Sequence, residues 1–103
     1  MKTKFEIWLD NVNKIRKNEW DSKFTHRDYI PLTYSKGRSF VKILDNDAVW
    51  GFVSMKDGVH KNAPVKIGDL LMAASYSSPA KHSRGNILDN TANWDYYGPK
   101  YLT

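Results

Sequence analysis

The most constraining feature of this sequence is the helix signal at its N-terminus. Thr3 and Glu6 have the spacing of a capping box, in which the two side chains satisfy backbone N–H groups of the first helical turn. Apolar residues then recur every three or four positions, as expected for one face of a helix: Phe5, Trp8, Leu9, Val12 and Ile15. The pattern predicts an amphipathic helix over residues 3–17 that ends near Asn18, and its apolar stripe needs a partner surface.

The segment after this helix has a weaker pattern. Lys14, Arg16 and Lys17 place cations near the predicted C-terminus of the helix, where they complement the helix dipole. Residues 19–29 mix Trp20 and Phe24 with charged residues and match neither the helical nor the strand period. We therefore expect a loop there, with room for one helical turn.

Strand signals begin at residue 30. Residues 30–44 suggest two strands joined at a Gly-containing turn, and Pro31 favours a sheet edge for the first of them. Residues 38–55 predict a hairpin that turns at residues 45–47. In its second strand we expect Trp50 and Phe52 to share one face, with Gly51 marking a bulge or a close approach to the helix.

The second half of the chain is ambiguous at residues 69–75. Asp69 can cap a helix and the following Leu, Met and Ala residues favour one, but Pro79 limits such a helix to about two and a half turns. We favour a short helix or turn there and leave a buried strand open as the alternative. Residues 76–86 are expected to form a polar loop, and residues 87–88 and 95–102 closing strands.

These elements predict the fold class. A helix followed by several antiparallel strands indicates an α+β protein, with the helix packed on a small antiparallel sheet of about five strands. A half-open β-barrel is the alternative. The 103 residues fit a single domain, residues 1–103, and the 41% apolar content is too high for a disordered chain.

The composition also indicates the cellular location and the kind of partner. There is no cysteine, no apolar run of the roughly 18 residues that span a membrane, and no secretory signal pattern at the N-terminus. We therefore expect a cytoplasmic protein with no membrane partner. Residues 1–44 carry ten Lys and Arg against five acidic residues, whereas residues 45–103 carry six of each, so the net charge of +5 belongs to the N-terminal half. A phosphate-bearing partner would be attracted to that half first.

Residues 76–86 concentrate side chains that suit an anionic ligand. Lys and Arg side chains there can donate to phosphate, Ser hydroxyls can join them, and Gly and Asn tolerate the backbone angles that turn N–H groups toward an anion. An exposed aromatic ring could stack on a base. The predicted ligand-binding residues are Tyr76, Ser78, Lys81, His82, Arg84, Asn86 and Trp50. The alternative is an ordinary polar surface loop punctuated by Pro79 and Gly85.

Metal and cofactor chemistry has little support in the sequence. The three histidines are isolated from one another, and the acidic residues after Glu19 are all Asp, several of them beside turn-forming residues. No phosphate-loop, dinucleotide or nucleophile-elbow motif occurs, so we expect no metal, no cofactor and no nucleophilic hydrolase activity. One enzymatic alternative remains, a metal-independent ribonuclease with His60 or His82 as acid and base and Lys81 and Arg84 on the phosphate.

Several stretches of the second half resemble a family of small, mostly uncharacterised proteins of tailed bacteriophages. They are GDLLMAASY (68–76), PAKH (79–82), RGNI (84–87), VWGFV (49–53) and YGPKYL (97–102). The resemblance implies an accessory or early protein that acts in the bacterial cytoplasm by binding host or defence components, and it implies no catalytic residue. The expected partner is thus a host or defence-system protein, or a nucleic acid or nucleotide. Salt dependence of binding would distinguish these partners.

Overall fold

A computed structural model describes residues 2–24 and 28–100 of the chain. In this part, one helix, α1 (Lys4–Lys23), precedes all of the strands. The strands are β1 (Thr33–Lys36), β2 (Phe40–Asp45), β3 (Ala48–Ser54), β4 (Gly58–His60), β5 (Ala63–Val65), β6 (Asp69–Ala73), β7 (Pro79–Asn86), β8 (Trp94–Asp95) and β9 (Gly98–Pro99). Five of them form one antiparallel sheet in the order β1-β2-β3-β6-β7, while β4-β5 and β8-β9 form separate two-stranded ribbons.

The sheet and the helix confirm the predicted α+β fold. The helix packs on one face of the five-stranded sheet. Strands β1 and β7 are the two edges of this sheet, so the described residues form no closed barrel. The first predicted strand lies at an edge, as the preceding Pro31 suggested. The predicted hairpin is the β2–β3 pair.

Helix α1 begins as predicted but ends later. The Thr3 hydroxyl accepts a hydrogen bond from the Glu6 N–H at 3.1 Å, and the Glu6 carboxylate accepts one from the Thr3 N–H at 3.1 Å. The helix then continues past Asn18 to Lys23, so the loop expected over residues 19–29, with room for one helical turn, is wrong for residues 19–23. Ion pairs one turn apart support this extension: Lys17–Asp21 at 2.7 Å and Lys23–Glu19 at 3.4 Å. The structure does not describe residues 25–27, which include His26.

The buried stripe of α1 differs from the predicted one at its C-terminal end. Phe5, Leu9 and Val12 are buried as expected, but Ile15 is 46% exposed and Trp8 is only partly buried. At 3.6 residues per turn, Ile15 lies about 90° from the centre of the stripe, whereas residue 16 lies close to that centre. Arg16 is therefore the fourth buried residue of the stripe, with only 1% of its surface exposed.

The buried guanidinium of Arg16 joins three distant parts of the chain. It donates to the Tyr96 carbonyl at 3.1 Å, to the Tyr29 hydroxyl at 2.9 Å and to the Asp45 carboxylate at 3.0 Å. Its central carbon also lies 4.1 Å from the centre of the Tyr96 ring. The Tyr29 hydroxyl in turn donates to the Asn13 side chain at 2.7 Å. Since each of its three nitrogens donates to a partner within the fold, Arg16 is a structural cation.

A bulge in β3 decides which aromatic rings face the helix. Ile43 pairs with Gly51 and Leu44 pairs with Val49, so Trp50 is an extra residue on β3. Trp50 consequently packs toward α1, with its ring 6.3 Å from that of Trp8. Phe52 lies on the opposite face, so the expectation that Trp50 and Phe52 share a face is wrong.

Gly51 makes the predicted close approach, but to a different element. A Cβ atom at this position would lie 2.8 Å from the Pro99 side chain of β9 and 3.2 Å from the Leu71 carbonyl. The distance to Pro99 is too short for a real contact and the distance to the Leu71 carbonyl is tight, so the glycine lets the β8-β9 ribbon lie against the sheet. The close approach is to this ribbon and not to the helix.

Residues 69–86 form two strands. Strand β6 lies between β3 and β7 and buries Leu70 and Leu71 on opposite faces, which corrects the favoured helix or turn and confirms the strand alternative. Its neighbour β7 corrects the loop expected at residues 76–86, of which only residues 76–78 lie outside a strand. As an edge strand, β7 pairs with the sheet on one side only, and most of its side chains are exposed or partly buried, so its sequence shows no apolar alternation.

The closing segment also differs from the prediction. Residues 87–88 are not a strand, and strands β8 and β9 cover only parts of residues 94–99; residues 101–102 lie outside the described part of the chain. Gly85, at φ +97°, makes this arrangement possible, because a Cβ atom there would lie 1.9 Å from the Thr91 carbonyl oxygen. The loop after β7 therefore crosses directly over the strand at Gly85.

Candidate ligand-binding groove

The face of the sheet opposite α1 is only partly covered. In β2 and β3, Val41 and Val53 are paired and face the helix, so the pair that follows, Lys42 and Phe52, faces away from it. Phe40 lies on this second face, with its ring 6.4 Å from that of Phe52. Side-chain alternation thus produces an aromatic floor on the face that the helix leaves uncovered.

Cations surround this floor. Lys36 is the last residue of β1, Arg38 lies in the turn that joins β1 and β2, and Lys42 comes from β2 itself. The turn is tight, since the Gly37 N–H donates to the Phe40 carbonyl at 2.9 Å. These cations and the β6–β7 turn line a cavity of about 310 Å³, which we call the basic groove. Its lining residues are Ser35, Lys36, Gly37, Arg38, Ser39, Phe40, Lys42, Phe52, Ser77 and Pro79.

The lining of the basic groove has no acidic residue in the part of the chain that the structure describes. Among the residues that the structure describes, none that lines it is Asp or Glu, and no ion pair involves Lys36, Arg38 or Lys42. Two cations of α1, Lys17 and Lys23, differ from these because each is paired with an acid on the same helix. Lys36 lies opposite Val41, on the helix side of β1, and its charge also helps to lower the pKa of Glu6. Because no described lining residue is acidic, the three cations still produce a positive potential that attracts anions.

Tyr76 extends the groove at one end. Its ring is 60% exposed, and the Lys42 ammonium lies 4.0 Å from the ring centre. The turn that presents it is closed by hydrogen bonds from the Ala74 and Ser75 N–H groups to the Ser78 carbonyl, at 2.9 and 3.1 Å. Tyr76 therefore remains the exposed aromatic residue that the sequence suggested, and its neighbour Ser77 lines the groove.

The other predicted residues of this region lie elsewhere. Ser78 is partly buried and its hydroxyl lies 3.4 Å from the Pro79 carbonyl. Lys81 and His82 are exposed on the edge strand β7, and Arg84 is partly buried there with its Nε atom fully covered. None of these four lines the basic groove. Their role in binding stays a prediction.

Two predicted ligand-binding residues have structural contacts instead. Trp50 is 3% exposed and its indole N–H donates to the Tyr96 carbonyl at 3.0 Å, so the expectation of an exposed Trp50 ring is wrong. The Asn86 amide donates to the Ile67 carbonyl at 2.9 Å and to the Asp69 carboxylate at 3.0 Å, which ties β7 to the start of β6. The bulge in β3 explains the burial of Trp50.

Sequence reasoning missed the residues that form the groove. Lys36, Arg38 and Lys42 contribute to the charge excess of the N-terminal half, but that excess was not assigned to a place. One local signal was present: Lys42 is the single charged residue in the apolar stretch of residues 40–44, so strand alternation places it opposite the core. The approach of Ser77 and Tyr76 from the β6–β7 turn has no local signal.

The histidines give limited support to acid–base chemistry. The His60 ring packs against Phe40 at 5.2 Å, and its Nε2 donates to the Pro79 carbonyl at 2.9 Å. His82 lies on β7 and does not line the basic groove. Within residues 2–24 and 28–100, no group of three or more His, Asp or Glu side chains has a metal-binding arrangement. The described helix is also not apolar enough to cross a membrane.

The fold and groove define a small α+β protein with a basic, aromatic-floored surface on the sheet face that the helix does not cover. The chain belongs to DUF7717, a family of unknown function, whose pattern matches residues 5–98. No curated protein matches the chain. No solved structure matches it either.

Proposed function

We propose that this protein acts by binding a nucleic acid or nucleotide in the basic groove. The observation that carries the proposal is the set of cations, Lys36, Arg38 and Lys42, which surround an aromatic floor with no acid among the described lining residues. Phosphate groups carry the charge that such a site attracts, and they can also accept hydrogen bonds from Ser35, Ser39 and Ser77.

The aromatic residues support a nucleic-acid ligand over a simple anion. Single-stranded nucleic acids are bound by a positively charged groove together with exposed aromatic rings on which bases stack. Tyr76 offers such a ring at the end of the groove, and Phe40 is partly exposed in its floor. Lys42 lies over the Tyr76 ring in the free protein, so a stacking base would displace its ammonium toward a phosphate.

A protein partner and a ribonuclease remain the alternatives from the sequence. A host or defence protein would bind through interface contacts with weak salt dependence, and a phage-type role in the bacterial cytoplasm is an expectation of the resemblance alone. Metal-independent cleavage of RNA would need an acid and a base near the bound phosphate. His60 contacts Phe40 and Pro79 of the groove lining, but its Nε2 already donates to the Pro79 carbonyl. Binding therefore has more support than cleavage.

The test compares two triple variants with the same net charge. Lys36→Ala/Arg38→Ala/Lys42→Ala removes the cations of the basic groove. Lys4→Ala/Lys14→Ala/Lys66→Ala removes three exposed cations outside it. Fluorescence anisotropy with labelled single-stranded oligothymidylate and oligouridylate, over a salt series, measures affinity for each variant and for the wild type.

We expect the groove variant to bind at least about tenfold more weakly and the control variant within about twofold of the wild type. Loss of three phosphate contacts should also reduce the slope of log affinity against log salt by about 2, since single strands contribute roughly 0.7 per contact. Equal losses in both variants would mean non-specific attraction to net charge. No binding by the wild type would refute the proposal, and product formation from the uridylate would favour the ribonuclease.

A further inference from the structure

We infer that the basic groove continues past Phe40 and that its ligand is a single strand of two or more nucleotides rather than a mononucleotide, an inference that rests on the proposed function. A second cavity, of about 430 Å³, lies next to the basic groove on the same face of the sheet. Ser39 and Phe40 line both cavities. The remaining residues that line the second cavity are Ser54, Lys56, Asp57, Gly58, Val59, His60 and Val65.

The β4-β5 ribbon forms the wall of this second cavity. It is held on the face by the His60 Nε2, which donates to the Pro79 carbonyl at 2.9 Å, and by the edge-on contact of the His60 ring with Phe40 at 5.2 Å. Pro79 belongs to the lining of the basic groove, so one hydrogen bond joins the walls of the two cavities. Phe40 therefore lies between two adjoining compartments and not at the end of one.

The charge changes along this path. The basic groove has three cations and no acid among its described lining residues, whereas the second cavity has Lys56 and the carboxylate of Asp57. Asp57 accepts a hydrogen bond from the Ile67 N–H at 2.8 Å, and the Ser54 hydroxyl donates to the Lys56 carbonyl at 2.7 Å, so backbone contacts fix this segment. The basic groove suits phosphates, and the more neutral second cavity suits a base and its sugar.

The dimensions favour a repeating ligand. Each cavity is within the range of about 300–1,000 Å³ that is typical of small-molecule sites, so the basic groove alone accommodates one nucleotide. The second compartment then has room for the next unit of a strand. Tyr76 and Phe40 provide aromatic rings at separate places along the path, as in proteins that stack successive bases. A mononucleotide would leave the second compartment unfilled.

A length series of oligothymidylates tests this inference by isothermal titration calorimetry. The ligands are thymidine monophosphate and the di-, tetra- and octanucleotides, and the variants are Arg38→Ala in the basic groove, Lys56→Ala/Val59→Ser in the second cavity and Lys66→Ala outside both. Val59 is 74% exposed, so its change to Ser should leave the fold intact. Circular dichroism and thermal unfolding of each variant check that assumption.

We expect the tetranucleotide to bind about tenfold or more tightly than the monophosphate. The second-cavity variant should lose most of this gain while its affinity for the monophosphate stays unchanged. The Arg38 variant should weaken both ligands, and the Lys66 variant neither.

Equal affinity for the monophosphate and the tetranucleotide would overturn the inference and leave the proposed function standing. A length gain that persists in full in the second-cavity variant would also overturn it, because longer strands gain affinity from their larger number of binding registers alone. Absence of binding by every ligand would refute the proposed function itself.

Discussion

The two faces of the five-stranded sheet are formed by the same strands but differ in how completely they are covered. On the helix face, Val41, Ile43 and Val53 are at most 1% exposed and pack against α1. On the opposite face, Phe40 and Lys42 are only partly buried, because a short ribbon and a turn cover it incompletely. One set of strands thus provides both the hydrophobic core and a basic groove, and alternation along β2 assigns each residue to one of them.

The cations of the two regions also differ. Three cations of α1 have partners within the fold, since Lys17 and Lys23 pair with acids one turn away and Arg16 is buried in a hydrogen-bond network. The strand cations that line the groove have no such ion pairs among the described residues. We therefore expect substitutions on the helix face to change stability and substitutions on the groove face to change binding.

The largest effect on stability is expected for Trp50→Ala. The indole is buried between the rings of Trp8 and Trp94, so its removal leaves a cavity in the helix-facing core. We expect a loss of about 3–5 kcal/mol in the free energy of unfolding, measured by urea denaturation. Phe40→Ala on the groove face is the control and should cost clearly less because Phe40 is partly exposed. Equal costs would mean that the two faces are equally important for folding.

Arg16→Met should give the next largest effect. Methionine retains much of the apolar volume, but the three hydrogen bonds to Tyr96, Tyr29 and Asp45 are lost. We expect destabilisation of about 2–3 kcal/mol in chemical denaturation, because hydrogen bonds of charged groups contribute more than neutral ones. Lys17→Met, at a neighbouring exposed ion pair, should change stability by less than about 1 kcal/mol. An unaffected Arg16 variant would show that packing alone holds these segments together.

The double substitution Lys81→Ala/Arg84→Ala tests the edge strand as a ligand surface. Lys81 is exposed and Arg84 is partly buried, so we expect a loss of at most about 1 kcal/mol in the free energy of unfolding. Binding of single-stranded oligonucleotide should weaken by about twofold, less than in the groove triple variant, because these side chains do not line the groove. A larger loss of binding than in the groove variant would move the ligand site to β7.

The smallest effect is a pH dependence at the N-terminus of α1. The pKa of Glu6 is below its ordinary value of 4.5. Three contacts lower it: the hydrogen bond from the Thr3 N–H, the contact with the Thr3 hydroxyl, and the hydrogen bond from the Tyr34 hydroxyl. A carboxyl with a lowered pKa in the folded state stabilises the protein above its unfolded pKa and loses that contribution as the pH falls through the folded value.

The unfolding temperature of the wild type should therefore exceed that of Glu6→Gln near neutral pH, with the difference shrinking below about pH 4. Thermal unfolding at several pH values measures it. The same substitution at Glu19, on the exposed side of α1, is the comparison. A difference that is constant from acid to neutral pH would show that the charge of Glu6 is not its source.

The sequence by itself determined the features that depend on nearby residues. The start of α1 follows from Thr3 and Glu6, and the β2–β3 hairpin follows from a turn signal between apolar stretches. These signals act over a few residues, so they can be read before the fold is known. The α+β class followed from their order along the chain.

Only the tertiary structure decided the features that depend on distant partners. The bulge that moves Trp50 to the helix face exists because Ile43 and Leu44 of β2 pair with the residues on either side of Trp50. Strand β7 forms because β6 provides backbone groups with which it can pair. Likewise, the basic groove requires Tyr76 and Ser77 to reach strands more than thirty residues earlier in the chain. Pairing and packing between distant segments have no local signal, since side-chain composition does not specify which segments meet.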